Sequence, residues 1–456
     1  MMLTAFIERF IRTFVPEPFQ QLARETGWCK RQGKIDAFEF LLAAVFGQMS
    51  ALRQTLVAHA QSLSQEVTRQ AIDQRFTPPA VAYFQAAFAH VLAHTLDWSV
   101  LHPQAAALRT HFDALYLLDS TSFDCPASLQ EIFPACGGDG SPANAKVILR
   151  YELIQGQLEP WRVLPGKCSD QGLAGAAAER LRTNQLQLQD KGFYSAHAWQ
   201  AAQQRGAYLL MPLPHALTLW LQGPPEGPEQ SLDLAAALAA SDAHRLEWPA
   251  LSLGKPGHRA GPVRLAAFRL SAESAARKRQ ALSESMRKLG RTASAQALQL
   301  AGWLLLITNA PAAKLPTSMM SYLYRIRWQV ELIFRQSKWV LRLDHTESDK
   351  PERVQCEIWA RLIGAVLLFL WHAHASAECW RRLQLEVSFE KLFRIVQSWG
   401  HTIARAFWQG PQELRQQLRE IWKQILLNGR KERQASRPTS WDNLYRLWLN
   451  SSSVPF

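Results

Sequence analysis

Between Thr317 and Leu343, six side chains with chemistry to offer recur at helical spacing: Tyr324, Arg327, Glu331, Arg335, Lys338 and Arg342. At about 100° per residue they fall within an arc of roughly 80°. The rest of the circumference carries Leu323, Ile326, Trp328, Val330, Leu332, Ile333, Phe334, Trp339, Val340 and Leu341. The pattern predicts a helix buried on most sides, with one narrow polar stripe. A single carboxylate hemmed in by four cations and a phenol suits a divalent metal beside phosphate, because the acid ligates the metal while the cations neutralise phosphate oxygens. The same spacing also fits an ion-pair ladder, Arg327 to Glu331 to Arg335, on a partly exposed helix.

The whole chain leans the same way. Its 456 residues hold 51 Lys+Arg against 38 Asp+Glu, a formal charge of +13, and such an excess points to a polyanionic partner, with nucleic acid the first candidate. The longest apolar run, Leu362 to Trp371, has the length of a core helix rather than a membrane span. Glu8, Arg9 and Arg12 interrupt the apolar N-terminus, unlike a secretory signal. Cys29, Cys125, Cys136, Cys168, Cys356 and Cys379 show no CxxC pairing and read as reduced cytosolic thiols. There is no G-x4-G-K-[ST] loop for ATP and no H-E-x-x-H. His372, His374, Cys356 and Cys379 raise a zinc reading, but their helical, tryptophan-rich setting favours ordinary buried or surface side chains.

A chain of this length should divide into two or three domains. Residues 1–110 read as all-helical. Asp36 opens an apolar helix through Phe46, and Thr77-Pro78-Pro79 breaks the chain before a helix from Ala80 to Leu96. Ser50 to His59, a turn at Ser62-Leu63 and Ser64 to Phe76 resemble a helix-turn-helix presenting Gln65, Thr68, Arg69 and Gln70. An ordinary helical bundle fits the same residues.

From Ala114 the period changes. The apolar run Leu115-Tyr116-Leu117-Leu118 ends at Asp119-Ser120-Thr121, and Val147 to Ile154 with Leu158 to Leu164 predict a hairpin about Gln155-Gly156-Gln157. A helix over Gly172 to Gln185, a strand Gln185 to Gln189 ending at Asp190-Lys191-Gly192-Phe193, a helix Ala196 to Arg205 and a strand Ala207 to Met211 complete an α/β layout. If the fourth strand returns beside the first, Asp119 and Asp190 meet at one sheet edge.

Residues of about 214–300 read as a β-rich insertion with strands at Leu217 to Leu221, Leu246 to Leu253 and Val263 to Leu270 and a helix at Ala272 to Leu289. Arg264, Arg269, Arg277, Lys278, Arg279, Arg287, Lys288 and Arg291 crowd its second half; a solvated basic helix and a DNA-backbone contact are both consistent with them. The strand Trp303-Leu304-Leu305-Leu306-Ile307-Thr308 then leads into the charged-stripe helix. The remainder, 346–456, reads as helical.

Tyr324-x2-Arg327-x3-Glu331-x6-Lys338 resembles the Y-R-E-K motif of bacterial DDE transposases of the fourth insertion-sequence family, the cut-and-paste group. Asp119-Ser120-Thr121 is similar to that family's first-acid motif, Asp190-x-Gly192-Phe193 to its second, and Trp303-Leu304-Leu305-Leu306 to the strand before its glutamate helix. The resemblance covers roughly Ala114 to Leu343. It implies a ribonuclease-H-like catalytic core over 111–345, interrupted by the insertion and flanked by the helical regions. It further implies Asp119, Asp190 and Glu331 as catalytic ligands of two Mg²⁺ ions, with Mn²⁺ as a substitute. Tyr324, Arg327 and Lys338 would grip phosphates, and Trp303 would stack on a flipped base; for Trp303 a core position on an interior strand is the competing reading. The implied partners are double-stranded DNA, as terminal inverted repeats and target, and a second copy of the chain on DNA, with no membrane. The implied location is the bacterial cytoplasm, at the nucleoid. One departure stands out: many relatives carry an arginine just after the strand leading into the insertion, where this chain has Leu210-Met211-Pro212-Leu213. A non-catalytic end-binding repressor and a metal-dependent nuclease without strand transfer are the rival functions.

Overall fold

Asp36 shows how closely local chemistry sets the elements. Its carboxylate accepts from the backbone N–H groups of Phe38 and Glu39 at 2.9 and 3.1 Å, satisfying donors that the first turn of a helix leaves open. In the computed structural model, the described residues are 2–31, 33–50, 55–95, 106–137, 140–214, 217–221, 230–255, 258–325 and 348–431.

Among the described residues the chain opens with helices α1 (Met2–Thr13), α2 (Pro16–Glu25), α3 (Ala37–Gln48), α4 (Leu56–Gln61), α5 (Arg69–Asp73) and α6 (Pro78–Thr95). Strands β1 (Ala114–Cys125), β2 (Ala143–Glu152) and β3 (Gln157–Pro165) follow, then α7 (Asp170–Ala178), β4 (Gln185–Gln189), α8 (Ala196–Gln204) and β5 (Tyr208–Pro212). Next come β6 (Leu219–Leu221), α9 (Leu234–Ala239), β7 (Arg245–Lys255), β8 (His258–Arg269), α10 (Ala272–Lys288), α11 (Ala295–Leu300) and β9 (Trp303–Thr308). A helix over residues 317–325, α12, precedes α13 (Pro351–Leu383), α14 (Phe389–Gln409) and α15 (Pro411–Asn428). The chain forms two compact units. Unit 1 takes Met1–Ala106, Ser120–Cys168 and Glu331–Arg437; unit 2 takes Ala107–Asp119, Ser169–Val330 and Pro438–Phe456.

Unit 1 is built around α13, which packs on α3, α6 and β3. By composition an 18-residue window of this helix is apolar enough to cross a membrane, which run length alone did not reveal, yet 89% of the window is buried inside the protein. Its charges are paired where they are buried: Arg353 Nε donates to Glu357 Oε1 at 3.0 Å, and Arg361 Nε to Gln48 Oε1 at 2.9 Å, as a buried charge requires. His372 and His374 meet the carbonyls of Val387 and Leu370, and Cys356 and Cys379 are buried, which fits their reading as ordinary core groups. The β2–β3 hairpin turns at Gly156, whose φ is +70° and where an added Cβ would lie 2.6 Å from the Cβ of Ala373. Only glycine meets both conditions.

The expected second helix over Ser64 to Phe76 shortens to α5. Thr68 Oγ1 accepts from Ala71 N at 3.2 Å and so starts the helix at Arg69, five residues later than the hydrophobic pattern suggested, leaving Gln65 outside it. The first expected helix includes residues 51–54, which lie outside the described ones; α4 begins after Thr55.

In unit 2 the strand order is β1-β4-β5-β9-β8-β7-β6, and in unit 1 it is β3-β2-β1, with β1 contributing its first half to the former and its second half to the latter. β1, β4 and β5 are parallel; β9 runs antiparallel to both β5 and β8. One sequence expectation changes here. β1 does not stop at Leu118 but continues to Cys125, beyond its pairing with β4, which ends at Leu118; β2 is its neighbour on the other side. The insertion's strands join the same sheet: β8 pairs along β9 from Arg264↔Thr308 to Arg269↔Trp303, using the edge that β9 would otherwise leave open. Helices α9 and α11 were not anticipated, although their caps were readable: Asp233 and Ser294 accept from Ala236 N and Ala297 N.

Candidate active site

The β1–β4 register places the two aspartates. Leu117 faces Leu188 and Leu118 faces Gln189, so the next pair in line is Asp119 and Asp190. Residues partnered across parallel strands point to the same face, and the strands stand about 4.8 Å apart. Asp119 and Asp190, each the residue after the last paired position of its strand, are both half-buried. They cap an apolar ladder of Leu115, Leu117, Leu186 and Leu188, each no more than 1% exposed.

The far face of β4 holds the second acid's turn in place. Gln187 and Gln189 are fully buried there; Gln187 Nε2 donates to Gln189 Oε1 at 2.8 Å, and Gln189 Nε2 donates to Phe193 O at 3.2 Å. Phe193 N closes back on Asp190 O at 3.0 Å, and the Phe193 ring is 1% exposed. The motif's phenylalanine is therefore the anchor of the turn. Gly192 meets less constraint, since an added Cβ would find only Asp170 Oδ2, at an ordinary 3.8 Å. Asp170, the first residue of α7, is a third acid near this turn that the sequence reading passed over; its position behind the helix cap Ser169 was the available signal.

Tyr324 lies on α12, half-buried, beside the buried Met319, Met320 and Leu323. Glu331, Arg327 and Lys338 lie outside the described residues, as do Arg335 and Arg342. Among the described residues no group of three or more His, Cys, Asp or Glu side chains is placed to hold a metal.

Trp303 starts β9, 6% exposed, with the Arg269 guanidinium 4.6 Å from its ring centroid. Arg269 is tethered by bonds from Nη2 to Ser241 O and from Nε to Ala243 O. The basic cluster of the insertion divides. Arg277, Lys278, Arg287, Lys288 and Arg291 are exposed, whereas Arg264, read from sequence as one of a surface group, is 7% exposed and fully engaged within unit 2.

Residues 110–367 match the family described as Transposase DDE domain. The chain belongs to this family, whose members are enzymes acting on DNA with divalent metal ions, and DNA is its substrate. It is similar to the transposase for insertion sequence element IS231B of Bacillus thuringiensis subsp. berliner, 26% identical over 460 residues covering 96% of this chain and 95% of that one. With the transposase for IS1151 of Clostridium perfringens it shares 24% identity over 367 residues, 76% of each chain. With the putative transposase InsL for IS186A of Escherichia coli (strain K12) it shares 39% identity over 108 residues, 24% of this chain and 29% of that one.

Proposed function

We propose that this chain is a bacterial insertion-sequence transposase that excises its element by cut and paste and joins it to target DNA. The observation that carries the reading is the parallel pairing of β1 and β4 up to Leu118↔Gln189, the positions just before Asp119 and Asp190, within a chain matched over 110–367 by the DDE family. The strand order β3-β2-β1-β4-β5, with β1, β4 and β5 parallel, supports a ribonuclease-H-like core. Asp119, Asp190 and Glu331 would hold two Mg²⁺ ions, or Mn²⁺ in their place. Divalent ions held there would supply Lewis-acid stabilisation of the charge that develops in phosphoryl transfer.

The protein's own groups supply the rest. Tyr324, Arg327 and Lys338 hold backbone phosphates so that the scissile bond lies over the acids, with the cations offsetting phosphate charge. Leucines packed beneath Asp119 and Asp190 keep both carboxylates from rotating away and lower the local dielectric around them. The proposed substrates are the terminal inverted repeats of the element and a target duplex, bound by two copies of the chain acting in trans, in the bacterial cytoplasm at the nucleoid. Trp303 is proposed as a stacking platform for a flipped base, reached only when Arg269 moves off its face.

The test is an excision-and-joining assay. The donor is a plasmid carrying the two boundaries of the element that encodes this chain, incubated with full-length protein, a target plasmid and Mg²⁺. Release of the element by double-strand breaks and its covalent joining to the target are expected. Binding without cleavage would establish a repressor instead, and cleavage without joining a nuclease.

A further inference from the structure

Charge is unevenly committed on the face of unit 1 where residues 29–31 and 33–35 meet residues 66–75. Most of its acids already have partners. Asp36 Oδ1 caps α3, and its Oδ2 accepts from Gln20 Nε2 at 2.9 Å. Glu39 Oε2 accepts from the backbone N–H and the hydroxyl of Ser64, at 2.9 and 2.8 Å. Asp73 Oδ2 lies 3.7 Å from Lys350 Nζ, which also donates to the Asp73 carbonyl at 2.7 Å. Lys30, Arg31, Lys34 and Arg69 are exposed and Arg75 is half-buried, and among the described residues none of the five is ion-paired with a carboxylate.

Arg75 is built into the wall of this face. Its backbone N–H donates to Ile72 O at 3.0 Å, and its carbonyl accepts from the indole N–H of Trp28 at 3.0 Å. Its guanidinium lies 5.3 Å from the centroid of the Trp28 ring, a buried ring itself stacked on Tyr83 at 5.5 Å. Gly33 leaves room for it, since an added Cβ would lie 3.2 Å from Arg75 Nη2. A planar guanidinium held against an aromatic face loses little freedom when it binds an anion. With Lys34, Ile35 and Thr68 it lines a cleft of about 500 Å³, where Glu66, exposed, is the one acid against two cations. On the other side of the same loop, Arg24, Lys30 and Arg31 line a second cleft of about 280 Å³.

We propose that this face of unit 1 is a track for the sugar–phosphate backbone of duplex DNA. Lys34 and Arg75 hold phosphate in the larger cleft, and Lys30 and Arg31 extend the contact across the loop. Cations without carboxylate partners, gathered on one surface, attract a polyanion and gain affinity by releasing its counterions. Such contacts fix the position of the duplex without reading its sequence. They differ from the helix-turn-helix expected over Ser50 to Phe76: with five residues, α5 is about 7.5 Å long, little more than one turn. The proposal rests on the reading of the chain as a transposase that binds the boundaries of its element.

The test uses full-length Lys34→Gln, Arg75→Gln and the double variant, with Arg394→Gln as a control: Arg394 is an exposed cation of unit 1 paired to Glu390. Binding to a fluorescent duplex from the boundary of the element that encodes this chain, and to a scrambled duplex of equal length, is followed by anisotropy over a range of salt concentrations, beside thermal unfolding. Each single variant is expected to flatten the plot of log affinity against log salt by about 0.9 and to weaken binding about fivefold at about 0.15 M salt, with the double variant losing about twice the slope. The loss is expected to be equal on both duplexes, and Arg394→Gln is expected to match the parent. Unchanged slopes in folded variants, or an equal fall in Arg394→Gln, overturn the track; a loss confined to the boundary duplex overturns its backbone role. Should Arg75→Gln fail to fold, Lys34→Gln, whose side chain is exposed, decides. A parent that binds neither duplex overturns the transposase reading itself, whereas a binding parent beside variants with unchanged slopes overturns only the track.

Discussion

Replacement of Trp303 by alanine separates a structural role from a direct one on DNA. The indole is 6% exposed on a strand paired to both β5 and β8, and truncating a buried tryptophan costs about 3–5 kcal/mol. Losing the Arg269 guanidinium from the ring face adds about 0.5–1 kcal/mol, the worth of a cation–π contact at an exposed site. Trp303→Ala is therefore expected to lose about 4–6 kcal/mol in urea denaturation, and Trp303→Phe a smaller part of it. Arg269→Ala leaves the ring in place while uncovering its face, and a double-mutant cycle on the pair should return a coupling of about 0.5–1 kcal/mol. The companion assay is a gel resolving nicked, hairpin and double-strand-break products. If the indole also stacks on a flipped base, Trp303→Phe keeps part of the hairpin yield and Arg269→Ala keeps all of it. A Trp303→Ala protein as stable as its parent would refute the burial calculation, and such a protein with normal hairpin yield would refute the base-stacking role as well.

Asp119→Asn, Asp190→Asn and Glu331→Gln are each expected to abolish Mg²⁺-dependent cleavage while preserving end binding in gel shifts; cleavage within about tenfold of the parent would remove that acid from the ligand set. Loss of Arg327 or Lys338 should weaken binding of the pre-cleaved end and flatten the plot of log affinity against log salt by about 0.9 each, the effect of one phosphate contact. An unchanged slope returns them to an ion-pair ladder. Burial, only partly offset by a bond to the Phe40 carbonyl, pulls the pKa of His59 from 6.5 to about 3, and burial pulls His374 to about 4. Since both stay neutral in the folded chain and protonate when it unfolds, their stabilisation is complete above pH 6.5 and is lost as pH falls toward those values. Each then contributes up to about 1.4 kcal/mol per pH unit. Urea midpoints measured between pH 7 and about pH 4.5 should fall more gently for His59→Gln than for the parent; identical slopes would contradict the assignment.

Much of the site was legible because its signals are local. The apolar run from Leu115 to Leu118, the strand Gln185 to Gln189 and the helix opened by Asp36 depend on neighbours a few residues away, so element types followed from side-chain period and backbone hydrogen bonding. The charged stripe about Glu331 pointed to metal and phosphate chemistry from residue types alone, whereas the metal role of Asp119 and Asp190 came from the family resemblance. What the sequence could not decide was register and partner choice. Whether Asp119 faces Asp190 turns on β1 pairing with β4 at Leu118↔Gln189, and a slip of one residue would have sent one acid to the opposite face. Arg264 carries the same charge as its surface-exposed neighbours in the basic segment. Only burial beside Glu247, Thr317 and the carbonyls of Ala310 and Leu315 separates it from them, because desolvation and pairing are set by atoms that lie up to 53 residues away along the chain.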